Sequence, residues 1–146
     1  MIALRLSLGT LFADDVTFLA AAGGNKVVLL KADFTPDENL TFADITVADF
    51  DGYAAKTPTA GAQQVGTDPL TQEQLVTLVE PVGGWRWATT GLTNLPQTIY
   101  GYALLDTTGA ILYAIEHLAT PLNLQAIGNE VNLGSVNFRM VQQPLS

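Results

Sequence analysis

Two runs rich in β-branched and aromatic residues, Thr98-Ile99-Tyr100-Gly101-Tyr102-Ala103-Leu104-Leu105 and Ala110-Ile111-Leu112-Tyr113-Ala114-Ile115-Glu116-His117, are separated only by Asp106-Thr107-Thr108-Gly109. A four-residue turn ending in Gly between such runs spells a β-hairpin. Closed symmetrically, it sets Leu104 against Ile111, Tyr102 against Tyr113 and Tyr100 against Ile115, all on one face. The other face carries Ile99, Gly101, Ala103 and Leu105 opposite Ala110, Leu112, Ala114 and Glu116. One face is bulky and the other mostly small, yet neither is properly polar. An antiparallel sheet with one face in water normally alternates apolar with polar. This hairpin therefore asks for cover on both sides, from its own core on one and from a second layer, such as another subunit, on the other.

The rest of the chain punctuates further strands with turn residues. Ile2, Leu4, Leu6 and Leu8 alternate with Ala3, Arg5, Ser7 and Gly9, a strand pattern. The stretch 11–26 has no clear period, ends in the turn signal Gly23-Gly24-Asn25, and is expected, like 56–69, to form a loop or extended arm. Val27 to Phe34 reads as a strand stopped by Thr35-Pro36-Asp37, since Pro cannot donate to a ladder. Thr41 with Asp44 three residues on suits the cap of one short helical turn. Phe50 to Ala54 reads as a short strand, and 56–69, rich in Thr, Pro, Gly, Ala and Gln, as a long loop or extended arm. Asp68-Pro69 begins either a helix through Leu78 or a lead into a strand from Gln74 to Glu80, and the β-branched Val76, Thr77 and Val79 favour the strand. Trp85 and Trp87 share a face of the next strand. Leu122 to Gln125 and Val131 to Leu133 flank a Gly128-Asn129 turn, and Val136 to Met140 alternates as the last strand.

Eight or nine short strands with at most one or two short helical turns define an all-β domain, an antiparallel β-sandwich or jelly-roll-like barrel. Its 146 residues suffice for one domain with a real core. Arg5, Asp14 and Asp15 interrupt the apolar N-terminal residues, which speaks against a secretory signal, and no run reaches the roughly 20 apolar residues that span a bilayer.

Charged residues make up 14% of the chain, against about 25% in an average soluble protein. So neutral a surface suits a protein that packs against neighbours. Six basic and fourteen acidic residues leave a net charge of −8. The basic ones (Arg5, Lys26, Lys31, Lys56, Arg86, Arg139) are scattered singly, with no row to neutralise phosphates, so nucleic acid is not an expected partner. Without cysteine there is neither a disulfide framework nor a thiolate metal site.

Chemistry-bearing residues form no recognisable set. His117 is the sole histidine, and the serines are only Ser7, Ser135 and Ser146, none in a nucleophile elbow. A small hydrolase would have to gather His117 with carboxylates from elsewhere in the chain. Asp33, Asp37, Glu38, Asp44, Asp49 and Asp51 are an acid-rich stretch of the kind that binds Ca²⁺, but an EF-hand register would put Val47 and Pro58 at the first and twelfth positions. That match fails; the stretch reads first as a solvated acidic edge, with a looser loop-borne calcium site as the alternative. Trp85, Trp87, Tyr100, Tyr102 and Tyr113 suit either a sugar platform or, more commonly for aromatics on amphipathic strands, a core or subunit interface. No catalytic residue, cofactor or metal is expected.

The runs Leu29-Leu30-Lys31-Ala32-Asp33-Phe34-Thr35-Pro36, Leu40-Thr41-Phe42-Ala43-Asp44 and Asp49-Phe50-Asp51-Gly52-Tyr53-Ala54, followed by the Tyr100-Gly101-Tyr102 hairpin with its Asp-x-x-Gly turn, resemble small structural proteins of tailed bacteriophages. The resemblance covers most of residues 27–140 and is one of turns and strands; it carries no catalytic residue. It implies a non-enzymatic virion component assembled in the bacterial cytoplasm, a head decoration (cement) protein or a tail-fibre-associated adaptor or glycan-binding module. The expected partners are copies of itself, as a trimer, and the major capsid protein or another virion protein, without membrane or nucleic acid. The residues expected at such an interface are Tyr100, Tyr102, Leu104, Ile111, Tyr113, Ile115, Trp85 and Trp87.

Overall fold

The computed structural model describes residues 25–35, 40–59, 64–67, 74–106, 108–110 and 112–140, with the side chains of 64–67, 74–77, 113 and 137–140 outside that description. The expected strand Ile2 to Leu8, the stretch 11–24, Asp37, Glu38 and Ile111 lie outside the described residues. The fold is all-β and antiparallel. Its strands are β1 (Lys26–Leu30), β2 (Gln64–Thr67), β3 (Gln74–Leu78), β4 (Arg86–Ala88), β5 (Gln97–Leu105), β6 (Leu112–Leu124), β7 (Glu130–Asn132) and β8 (Val136–Met140). They form the sheets β1-β5-β6, β2-β3-β8 and β4-β7, and no closed barrel forms among the described strands. One core joins all three: Val27, Leu29, Ile99 and Leu104 meet Trp87 and Val131 from β4-β7, and Leu78 and Val136 from β3 and β8.

The hairpin forms as β5-β6, but in a different register. Leu105 pairs with Leu112, Leu104 with Ala114, Tyr102 with Glu116 and Gly101 with His117. The Asp106 carboxylate captures the Ala110 N–H at 2.9 Å and the Thr108 hydroxyl at 2.7 Å, which closes a six-residue loop instead of a four-residue turn. A bulge at Tyr113 then adds one more residue. The net slip from the symmetric register is odd, and an odd slip exchanges the faces of a strand. Ile115 consequently packs with Ala103, Leu105 and Leu112, while Tyr102, Leu104 and Ala114 belong to the main core.

Both faces of the sheet are covered, as the lack of a polar face requires, but by the same chain. Phe34, Leu40, Ile45 and Val47 pack over Val28, Leu30, Ala103, Leu105, Leu112 and Ile115. The second subunit invoked to cover that face is not required. Five of the expected interface residues, Trp85, Trp87, Tyr102, Leu104 and Ile115, are no more than 7% exposed and so have no surface to offer a partner.

Other elements differ in instructive ways. β1 ends at Leu30, short of the expected Phe34, and the Lys31 N–H, on the outer edge like those of Val27 and Leu29, donates to Thr46 O. Thr41 and Asp44 do cap a single 3-10 turn, Phe42–Asp44; the Asp44 carboxylate accepts from the Thr41 N–H at 2.8 Å and hydroxyl at 3.0 Å. Residues 50–54 are a turn, not a strand. They bow out between the bridges Leu30–Val47 and Val27–Lys56, by which the segment lines the outer edge of β1. Gly52, at φ +91°, sits against Ala88 O, where a Cβ would approach to 2.6 Å. Part of the expected 56–69 loop is β2, which pairs with β3, and β3 is the strand favoured over a helix. β7 pairs with β4 rather than with the end of β6. The Asn129 side chain accepts the Gln125 and Ala126 N–H groups and the Asn129 carbonyl accepts the Thr89 N–H, so the turn is tied to β4.

Candidate functional site

β5 is longer than the strand beside it. Its last partner in β1 is Gly101, opposite Leu30, so Gln97 to Tyr100 run on past the end of β1. β6 departs at the same level. Gly101 pairs with His117 and Ile99 with Leu122, which leaves four residues, 118–121, opposite Tyr100 alone. A bulge of this kind bends the strand and re-aims the neighbouring side chain. Tyr100 is left half-buried between two features, a shallow open depression and a histidine pair.

The depression, about 460 Å³, is lined by Lys31, residues 94–98 and Tyr100. Three of its lining residues, Lys31, Asn94 and Gln97, join a network centred on Asp49. Gln97, 7% exposed, accepts the Asp49 N–H on Oε1 at 3.1 Å and donates through Nε2 to Asp49 Oδ1 at 2.8 Å and to Asn94 O at 3.2 Å. Asn94 donates through Nδ2 to Asp49 O at 3.0 Å, and Lys31 Nζ lies 2.8 Å from Asp49 Oδ2. The Lys31 ammonium, followed by the Gln97 amide, holds the Asp49 carboxyl below its usual range. Asn94 is the one described non-glycine residue at positive φ, 61°.

Beyond Tyr100, His117 Nε2 lies 2.7 Å from Asp33 Oδ1 and its Nδ1 lies 2.7 Å from Leu118 O. Both partners are acceptors, so the ring satisfies both contacts only as the doubly protonated imidazolium. The hydrogen bond to Asp33 raises the His117 pKa above its ordinary value, and the same bond lowers that of Asp33. The ring is flanked by Phe34 at 5.0 Å and Tyr100 at 6.4 Å between centroids. A charged imidazolium with both nitrogens engaged has no lone pair with which to take a proton.

The acid-rich stretch does not converge. Asp33 is engaged by His117, Asp44 by Thr41, Asp49 by Lys31 and Gln97, and Asp51 by the Thr93 N–H. Among the described residues no three potential metal ligands gather. Of the aromatic set, Trp85 and Trp87 stack in the core at 6.4 Å and Tyr102 is buried; Tyr100 alone lines the depression. Sequence reasoning singled out Tyr100 and His117 but missed Lys31, Asn94, Gln97 and Thr98. Pro121 within a strand was the available signal, since Pro inside a strand marks an edge or a bulge.

Comparison with protein-family models, with curated proteins and with solved structures finds no match to this chain.

Proposed function

We propose that this chain is a non-enzymatic structural protein of a phage virion that works by adhesion, as a head decoration subunit bridging its neighbours. The three sheets are read as a sandwich-like body around the shared core. The observation that supports adhesion is where the apolar side chains remain in water. Val82 is fully exposed, Leu92 66% and Ile127 59%, each on a turn, and Phe42 on the 3-10 turn is 38% exposed. Leu92 and Ile127 belong to turns at the end of β4-β7 where Ala88 pairs with Glu130, while Val82 precedes β4 at the opposite end. Single apolar tips at two ends suit a small body that touches neighbours on two sides. The sole histidine agrees, being consumed in a structural pair, and so does the uncrowded charge. Light scattering of the purified chain, followed by co-sedimentation with empty phage heads, tests this reading. A trimer that sediments with heads supports it; a monomer that binds neither heads nor tails overturns it.

A further inference from the structure

The depression beside Tyr100 is a binding site in its own right. Its polar lining is fixed before any ligand arrives: the Gln97 amide makes three hydrogen bonds, and Asn94 and Lys31 are each tied to Asp49. Ordering loops and side chains is a main cost of association, and here that cost falls within folding. The lining keeps hydrogen-bonding capacity beyond that network: the Asn94 side-chain carbonyl as acceptor, the spare Lys31 ammonium hydrogens and, outside the network, the Thr98 hydroxyl as donor or acceptor. The Tyr100 ring adds an apolar face with a polar tip.

Charge decides the ligand class. Lys31 is compensated by Asp49 and His117 by Asp33, so among the described residues the site offers no free cation to a phosphate or carboxylate. Most small-molecule pockets are lined chiefly by apolar groups; this one has a polar lining and a single aromatic wall. A pyranose ring has the complementary make-up, an apolar C–H face and a rim of hydroxyls that both donate and accept. We propose that the depression formed by Lys31, Asn94, Gln97, Thr98 and Tyr100 binds a neutral saccharide, with its C–H face on the Tyr100 ring and its hydroxyls on Asn94, Thr98 and Lys31. A single open site of this kind binds weakly, and several copies on one particle raise the effective affinity through avidity.

The test is a ¹⁵N NMR titration of the full chain with methyl α-glucopyranoside, methyl β-galactopyranoside and N-acetylglucosamine, with inorganic phosphate as the charged control. The expected result is a saturable shift of the Lys31, Asn94, Gln97, Thr98 and Tyr100 amides with at least one sugar, and none with phosphate. Tyr100→Ala should weaken binding about tenfold or more, while Tyr100→Phe stays within about threefold of the parent. Thr98→Val, which keeps shape and removes the hydroxyl, should weaken binding severalfold with the rest of the spectrum unchanged. Absence of a saturable shift with all three sugars overturns the proposal, as does a response to phosphate alone or binding indifferent to both Tyr100→Ala and Thr98→Val. Head co-sedimentation does not bear on this outcome, so failure here and failure of the virion reading are separately visible.

Discussion

The Tyr53 hydroxyl takes the place of a backbone group. Along the outer edge of β1, Val27 exchanges two backbone bonds with Lys56, and Leu29 O accepts from the Ala48 N–H. Between those contacts the chain bows outward, and the Leu29 N–H donates instead to the Tyr53 oxygen at 3.2 Å. Burial pushes the Tyr53 pKa up to about 12 from 10.0, so its contribution to stability is whole below pH 10 and is lost as pH rises toward 12. Tyr53→Phe leaves that N–H without its acceptor and should cost about 1–3 kcal/mol in urea unfolding. His117 gives a second prediction. Its pKa is raised, so its stabilisation is present below its ordinary value of 6.5 and disappears as pH climbs through the folded-state value. Asp33 is lowered, so its share is present above 3.8 and lost as pH falls through its folded-state value. The pair is therefore strongest between those limits. NMR titration should place the His117 midpoint above 6.5, and Asp33→Asn should bring it back down; an unmoved midpoint would disprove the coupling.

At the scale of elements, the close approach of β5, β6 and the covering segment rests on Gly101. A Cβ there would collide with the Glu116 carbonyl and come within 2.7 Å of the Phe34 ring. Overpacking of this kind costs about 1–3 kcal/mol, and more where the obstacle is backbone. Gly101→Ala should accordingly lower the unfolding midpoint and speed hydrogen exchange at Phe34, the residue that must give way. The hairpin itself was legible because strand propensity and turn chemistry agree locally, as they do at Val136–Met140 and at the Thr41–Asp44 cap. Register was not, because it depends on two local departures from the symmetric turn: Asp106 draws in Ala110 and lengthens the loop, and the bulge at Tyr113 makes the slip odd. Partner choice was equally hidden. The Gly128-Asn129 turn was read correctly as a turn, but the bonds joining it to Thr89 send β7 to β4 instead of back along β6. The depression was invisible for the same reason, since it exists only where β1 ends and β6 bulges beside one stretch of β5.

For the whole molecule, the decisive fact is that the β1-β5-β6 sheet is sealed on both faces within one chain. On the proposed reading, adhesion would then use the periphery, since five of the residues expected at an interface are buried. The periphery carries few charges and isolated apolar tips, and a scattered exposed apolar residue costs the fold almost nothing to replace. Val82→Ser, Leu92→Ser and Ile127→Ser should each, singly, leave stability within about 0.5 kcal/mol of the parent. Their effect on assembly should be larger. If the tips at the two ends contact different neighbours, Val82→Ser alone should weaken head binding while preserving one contact, as should the Leu92→Ser/Ile127→Ser pair. The triple variant, losing both contacts, should fail to sediment with heads although it still folds, with at most about 1.5 kcal/mol lost if the three effects add. Co-sedimentation of the triple variant at parental levels would mean that adhesion uses another surface.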